Sequence, residues 1–202
     1  MEPNFLQRHP VVKDAISLVV FIACVLIGTL FINSYIFRSF SVDGPSMEST
    51  LFTGDRLIVN RLAVTIAQLK GEKYIPEREQ IIVFKNPNFD DVIGREEYVV
   101  KRVIAFAGER VTVKSGVVTV YNAENPTGFN PDAEIMKHGT PNLPTDGDVD
   151  MIVPDETLFV MGDNRVGSYS CDSRDCMGPI PLFDVVGPVS LRIYPITQIT
   201  GF

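Results

Sequence analysis

The feature that most constrains the fold is an uncharged apolar run near the N-terminus, AISLVVFIACVLIGTLFINSYIF, from Ala15 to Phe37. It extends for about 23 residues, enough to cross the hydrocarbon core of a bilayer as a helix that rises about 1.5 Å per residue. Lys13 and Asp14 bound the run on one side, and Arg38 bounds it on the other. The pattern predicts one transmembrane helix over residues 15–37.

A cleaved targeting peptide is the alternative interpretation of this run. The run is longer than the apolar region of such peptides, and no small-x-small cleavage site follows it. Tyr35 and Phe37 are placed to lie at a membrane–water interface, where aromatic rings are enriched. We therefore expect a retained signal-anchor helix.

The basic residues around the span predict its orientation. Arg8 and Lys13 precede it and Arg38 follows it at once, so the positive-inside bias is slight. It favours residues 1–14 as a cytoplasmic tail and residues 38–202 as an extracytoplasmic domain at the plasma membrane.

The rest of the chain has a β texture. Short apolar or alternating runs bounded by Gly, Pro, Asn and Asp are typical of strands, and Ser115-Gly116 between two such runs predicts a two-residue hairpin. A short helix is predicted over 61–70 and a polar inserted cap over 122–150. Strands are predicted over 39–42, 55–60, 80–84, 98–105, 110–114, 117–121, 157–161 and 185–194. We expect a mainly β fold, with an antiparallel β-sheet core and a small inserted cap, preceded by one N-terminal transmembrane helix.

The charge of the chain excludes one class of partner. The formal net charge is -7, and no basic stripe is present, whereas binding to a nucleic-acid backbone needs clustered Lys and Arg. We expect no nucleic-acid partner.

The sequence also argues against histidine and metal chemistry. His9 precedes the span and would lie across the bilayer from the main domain, and His138 lies in the polar insertion, so a Ser-His-Asp triad or a histidine-ligated metal is not expected. The acidic segment 146–150 partly matches a calcium loop. Met151 and Thr157 replace the glycine and glutamate which that loop requires, so a solvated loop is expected.

Lys101 is a candidate general base because it lies in a valine- and isoleucine-rich predicted strand. A lysine amine accepts a proton only when it is neutral, and its ordinary pKa of about 10.4 keeps it charged at neutral pH. Burial among apolar side chains lowers that pKa by up to several units. Strand alternation places Arg102 on the opposite side, in water or in an ion pair. An ordinary Lys-Arg pair on an edge strand is the alternative.

Ser46 follows Gly44-Pro45 in a tight turn. A serine hydroxyl becomes an effective nucleophile when a nearby base accepts its proton, and a backbone N–H exposed in such a turn can stabilise an oxyanion. Gly-Pro-Ser is also a common turn without chemistry. The downstream segments 162–165 and 170–174 are, taken alone, loops tied by Asp-Arg pairs.

Together and in this order, these segments resemble the bacterial type I signal peptidases, membrane-bound Ser/Lys peptidases that remove signal sequences from exported proteins. Ser46-Met47-Glu48-Ser49-Thr50-Leu51 resembles the nucleophile box Ser-Met-x-Pro-Thr-Leu of the family, and Gly54-Asp55 resembles the next box. Lys101 to Ile104, with Gly108 to Val111 behind it, resembles the lysine box, and Gly162 to Arg174 resembles the last box. The resemblance covers nearly the whole chain from the span onward.

The resemblance implies that Ser46 is the nucleophile and Lys101 the general base. It implies that Val42, Met47 and Val100 line shallow pockets for small residues at positions -1 and -3 of secretory preproteins. It further implies membrane lipid as a partner and no metal or organic cofactor.

Some residues depart from the pattern of the family. Ser49 replaces the usual proline, and Ala105 and Ala107 stand where Gly and Pro are frequent, which should affect loop rigidity more than chemistry. Gly44 stands where some members offer a serine hydroxyl as a second oxyanion donor, so the second donor is unassigned.

The last box carries two extra residues. The serine that would hold the lysine amine is therefore Ser170 when counted back from Asp-Ser-Arg, or Ser168 when counted forward from Arg165. We favour Ser170, supported by its neighbours Asp172 and Arg174.

The cysteines bear on the same loop. Cys24 lies in the predicted span, whereas Cys171 and Cys176 bracket the segment next to Ser170 and can pair in an oxidising compartment. We hypothesise a disulfide that stiffens the enlarged loop, with two free thiols as the alternative.

Two other functions compete with the peptidase. A self-cleaving Ser/Lys switch of the repressor type would need a DNA-binding module and an internal cleavage site, whereas this chain opens with an apolar span. A non-catalytic anchored β domain for adhesion or assembly would not depend on Ser46 or Lys101.

Overall fold

The structure is a computed structural model that describes residues 9–89, 96–133, 139–167 and 169–202. It consists of a long N-terminal helix, one large antiparallel sheet and a smaller three-stranded sheet. The expected mainly β class, preceded by one apolar helix, is confirmed.

Helix α1 (Pro10–Tyr35) has 26 residues, none of them buried, and it is long and apolar enough to cross a membrane. It begins before the predicted span because Pro10 occupies the first turn, where its missing N–H costs nothing, and because Lys13 and Asp14 are compatible with helical backbone. It ends before Phe37, since Phe37 already pairs with Asn60 in the first strand.

The large sheet has eight strands: β1 (Phe37–Ser41), β2 (Arg56–Asn60), β3 (Ile81–Lys85), β4 (Tyr98–Phe106), β8 (Thr157–Met161), β9 (Ile180–Pro181), β10 (Val185–Tyr194) and β11 (Thr200–Gly201). They are arranged in the order β1-β2-β10-β3-β4-β8-β9, with β11 paired to β10. The strands predicted for this sheet are all present, and β9 and β11 are short additions that no sequence pattern indicated. Helix α2 (Leu62–Leu69) follows β2, as expected.

The small sheet contains β5 (Arg110–Lys114), β6 (Val117–Tyr121) and β7 (Val149–Ile152), with β5 in the middle. Ser115 and Gly116 have φ angles of 52° and 81°, as a two-residue hairpin turn of type I′ requires, so the predicted hairpin is confirmed.

The segment predicted as an inserted cap connects β6 with β7. Its end belongs to the small sheet, because Val149 and Asp150 pair with Val113 and Thr112. The polar residue Asp150 is accommodated on this strand by two hydrogen bonds of 2.7 Å from Arg110 of the neighbouring strand.

Strand β4 lies between β3 and β8 and joins separate parts of the core. Val103 packs in one buried cluster with Phe84 and Val160, and Ile104 packs in another with residues of the small sheet. This inner position excludes the alternative that Lys101 and Arg102 form an ordinary pair on an edge strand.

Candidate active site

Ser46 and Lys101 are brought together by the sheet although they are far apart in sequence. Ser46 lies in the turn that follows β1, and Lys101 lies on β4. The Lys101 Nζ donates a hydrogen bond of 2.7 Å to the Ser46 Oγ. At the same distance, a neutral amine can instead accept the hydroxyl proton.

Lys101 is buried, with only 2% of its surface exposed. Burial penalises the ammonium form and lowers the pKa of Lys101 to about 8, although the carboxylates of Asp172 and Asp163 act in the opposite direction. A pKa in this range leaves about a tenth of the amine neutral at pH 7, far more than the ordinary pKa of about 10.4 would leave, and the neutral amine is the form that a general base needs.

Asn164 holds the turn that carries Ser46. Its backbone N–H donates to the Ser46 carbonyl at 3.0 Å, and its side-chain Nδ2 donates to the Pro45 carbonyl at 3.1 Å. The sequence patterns indicated a polar loop here but no role for Asn164, because its partners are more than a hundred residues away.

A groove of about 500 Å³ contains both reactive side chains. Val42 and Val100, two of the three residues expected to bind substrate, lie along it together with Ser46 and Lys101. Met47, the third, is 1% exposed and belongs to a buried core cluster, outside the groove lining. A helical turn places it there, since the Leu51 N–H donates to the Met47 carbonyl at 2.8 Å.

Gly162 follows β8 at the point where the last motif meets the Ser46 turn. A Cβ atom at this position would overlap the Ser46 carbonyl oxygen and the Ser170 Oγ. Its N–H donates to the Asp172 Oδ2 at 2.9 Å. Glycine is therefore required here by close packing against the nucleophile turn.

Asp172 organises the loop beside the lysine. Ser170 is buried and donates to the Asp172 Oδ2 at 2.7 Å, and Arg174 donates to both Asp172 oxygens at 2.9 Å. Burial opposes ionisation of Asp172, but the hydrogen bonds and charge of Arg174, with the Gly162 N–H and the Ser170 hydroxyl, lower the pKa of Asp172 on balance.

The structure describes only one of the two candidates for the serine that holds the lysine amine, namely Ser170. Within the described residues, Ser170 has a hydrogen bond to Asp172 and none to Lys101. Ser168 lies outside the described residues, as does His138, and the length of α1 separates His9 from Ser46.

A second buried acid is neutralised from a neighbouring strand. Asp163 and Arg102 have no exposed side-chain surface, and Arg102 donates to Asp163 through Nε at 2.8 Å and Nη2 at 2.5 Å. Asp163 also accepts from the Thr50 Oγ1 at 2.5 Å. These contacts link the segment that carries Ser46 to β4. They also show that the charge of Arg102 lies in a buried ion pair and not in water.

Arg165 does not form the local Asp-Arg pair that was expected within this loop. Arg174 pairs within the loop, with Asp172, but Arg165 reaches Asp132 in the segment between β6 and β7, with one contact of 2.7 Å. Sequence proximity could not indicate that partner.

The departures from the motif have structural counterparts. Ser49, which stands in place of the proline, donates through its hydroxyl to the Thr140 carbonyl. Gly44 has a φ of 94°, and its N–H donates to the Thr53 Oγ1 at 3.1 Å.

Cys171 and Cys176 are joined in a disulfide, as hypothesised, and Cys171 lies along the groove.

A serine hydroxyl beside a buried lysine amine, on the wall of an open groove, defines a candidate site of the Ser/Lys hydrolase class. The comparisons with known proteins agree with this class. The family model described as "Signal peptidase, peptidase S26" matches residues 13–194. The chain therefore belongs to this family of peptidases.

Three relatives illustrate the similarity. A signal peptidase I of Bacillus caldolyticus is 30% identical over 184 residues, which are 88% of this chain and 90% of that protein. Signal peptidase I S of Bacillus subtilis is 33% identical over 199 residues, covering 96% and 95%. A Staphylococcus aureus protein named inactive signal peptidase IA is 30% identical over 193 residues, covering 94% and 95%. Since one relative carries the name inactive, the geometry of the site is needed to argue for activity.

Substitution of Gly162 by alanine tests the packing behind the nucleophile. The added Cβ has to displace the Ser46 turn or the Ser170 side chain, so we expect a loss of about 1–3 kcal/mol in the free energy of unfolding and a marked fall in precursor cleavage. Gly201→Ala is the matched control, because the nearest atom to its Cβ is the Ser190 carbonyl oxygen at 3.9 Å. Equal activity of the two variants would contradict the packing argument.

Proposed function

We propose that this protein is a membrane-anchored serine endopeptidase that removes N-terminal signal sequences from exported preproteins. The observation that carries the proposal is the 2.7 Å contact between the Lys101 Nζ and the Ser46 Oγ on the wall of a groove. Family membership supports the substrate class.

In the proposed reaction, the neutral amine of Lys101 accepts the hydroxyl proton while the Ser46 Oγ attacks the scissile carbonyl carbon. The tetrahedral intermediate collapses, Lys101 gives a proton to the leaving amine, and the acyl group stays on Ser46. Lys101 then activates a water molecule that hydrolyses the acyl-enzyme. A lysine base makes this scheme independent of a metal ion or organic cofactor.

The intermediate carries a negative oxygen that needs hydrogen-bond donors. We assign the Ser46 backbone N–H as one donor, because the turn that Asn164 clamps holds it at the nucleophile. Donors fixed before the reaction stabilise developing charge without reorganisation. Gly44 contributes no hydroxyl, and the Gly44 N–H is engaged by Thr53.

Val42 and Val100 support a preference for small residues at -1 and -3 of the preprotein. Both residues line the groove that contains the catalytic pair, and branched apolar walls leave shallow pockets for small apolar side chains. Met47 supports these walls from the core.

We propose that α1 crosses the plasma membrane once and that residues 38–202 face the extracytoplasmic side. Helix α1 is apolar and exposed along its length, and β1 begins directly after it, so the sheet is held close to the bilayer. An enzyme and a signal sequence that share one bilayer meet at high effective concentration. The Cys171–Cys176 disulfide is consistent with an oxidising compartment.

Removal of either member of the pair should abolish cleavage. We expect Ser46→Ala and Lys101→Ala each to reduce kcat/KM for an Ala-x-Ala precursor by roughly 10⁴-fold or more, and the double variant to be no worse, because the two residues act as a unit. Lys101→Arg should fail as well, since a guanidinium does not deprotonate. Lys114→Ala, at an exposed lysine, is the control. Cleavage that survives in Ser46→Ala would favour the non-catalytic domain.

The pH dependence of cleavage should follow the titration of Lys101. The active form is the neutral amine, so kcat/KM should fall as the pH drops below the pKa of about 8. The measurement is kcat/KM between pH 5 and 9 with a substrate that has no titrating group in this range, with folding checked at each pH. A flat profile with chemistry rate-limiting would rule out lysine as the base.

A further inference from the structure

The groove has a second apolar wall, which the residues assigned to positions -1 and -3 do not form. This second wall consists of Val99, Tyr169, Cys171 and Met177. Met177 is buried, and Val99 packs against the same core cluster. Val100, the next residue of β4, packs against a different cluster. The groove is therefore bordered by apolar residues from two separate parts of the core.

Tyr169 is the exposed member of the second wall, with 63% of its surface accessible. It is fixed from its C-terminal side, because Ser170 is buried and bonded to Asp172 and Cys171 is joined to Cys176. A tyrosine ring provides a large contact area and has only two χ angles to order. A fixed loop that presents such a ring to solvent beside the catalytic pair favours a role in binding.

Two strands that line the groove have a free edge. β1 is the outermost strand of the large sheet. β4 pairs with β8 from Arg102 to Phe106, so among the described residues the backbone at 98–101 pairs with β3 alone. Unpaired strand edges bind extended peptides through main-chain hydrogen bonds. An extended substrate between β1 and β4 is therefore compatible with both sides of the groove.

The strand directions give the direction of that substrate. Four successive antiparallel pairings connect β1 with β4, through β2, β10 and β3, so β1 and β4 run in the same direction. β1 leads from α1 toward Ser46, and β4 leads through Val99 to Lys101. A signal sequence that emerges from the same bilayer as α1 follows this direction to the scissile bond. Val99 thus lies at the level of the signal sequence and not of the mature protein.

Side-chain alternation then selects the position in the substrate. Successive side chains of an extended chain point to opposite faces. With -1 and -3 directed to Val42 and Val100, the side chain at -2 is directed to the opposite wall.

We propose that Tyr169, together with Val99, Met177 and the disulfide, binds the side chain at -2 of the preprotein and selects a large apolar or aromatic residue there. The second wall is apolar, and sulfur atoms make favourable contacts with aromatic rings. The numbering of the position rests on the proposed function. Tyr169 is a specificity-determining residue in this account and takes no part in the proton transfers.

The binding test uses the absence of tryptophan from the chain. A water-soluble peptide with alanine at -1 and -3 and tryptophan at -2 is added to the full chain in micelles, with Ser46→Ala to prevent cleavage. We expect its emission to shift to shorter wavelength relative to micelles alone. Its Kd should be about 3- to 10-fold lower than that of the peptide with serine at -2, measured by competition, because an aromatic contact contributes this much.

Variants assign this effect to the ring of Tyr169. Tyr169→Ala in the same background should remove the shift and make the two Kd values equal, whereas Tyr169→Phe should keep both effects. Tyr194→Ala is the matched control, because Tyr194 is 57% exposed and lies outside the groove lining. An emission that stays at its value in micelles alone, or a shift that persists in Tyr169→Ala, would overturn the inference.

Cleavage by the chain with Ser46 intact provides the second measurement. We expect kcat/KM to be about 10-fold higher for a precursor with leucine at -2 than for one with serine, and Tyr169→Ala to bring this ratio close to one. A ratio that is unchanged while both rates fall would show that Tyr169 only supports the loop, and a ratio of one in the unaltered chain would also contradict the inference. If the unaltered chain cleaves neither precursor, the proposed function fails, and the tryptophan emission still decides whether the second wall binds the peptide.

Discussion

Burial lowers the pKa of a lysine effectively only if the carboxylates around it are paired with other cations, and the structure of this site depends on that condition. Asp172 and Asp163 are the two acids whose charges raise the pKa of Lys101 most. Each is paired with an arginine: Asp163 with Arg102 and Asp172 with Arg174. The arginines supply the positive charge, so that the effect of burial prevails and the amine is left to the serine.

These pairs also carry the geometry of the site. Buried ion pairs gain little stability over apolar packing, but the loss of one partner leaves an uncompensated charge and costs about 3–5 kcal/mol. Asp163 links β4 to Thr50 behind the nucleophile, and Asp172 links the loop to Gly162 and Ser170. The same contacts that neutralise the acids therefore position the nucleophile turn against the lysine strand.

Local sequence patterns were sufficient to predict most of the helices and strands. The two-residue turn at Ser115-Gly116 needs positive φ at both residues, which only a few residue types tolerate, so the hairpin could be predicted. The valines around Lys101 indicated its burial, and the motif order identified the family. The strand over Val149 and Asp150 could not be predicted, because a cross-strand partner, Arg110, makes the acidic residue acceptable there.

Long-range partners account for what the sequence could not predict in the site. The roles of Asn164 and Asp132 depend on contacts with Ser46 and Arg165, which no local spacing encodes. Met47 was expected in the groove from its place in the motif, yet the helical turn after Ser46 directs it into the core. Whether Ser170 acts on the amine stays a prediction, since its hydroxyl is bonded to Asp172.

The central claim, that burial lowers the pKa of Lys101 far enough for its neutral amine to act as the base, is tested most directly by titrating that amine. Lysine labelled with ¹⁵N at Nζ and ¹³C at Cε allows each amine to be followed by NMR, and the signal missing in Lys101→Arg assigns the residue. The account predicts a midpoint near the pKa of about 8, well below the other lysines, in the Ser46→Ala variant as well as in the unaltered protein. A midpoint at the ordinary lysine value of about 10.4 would contradict it.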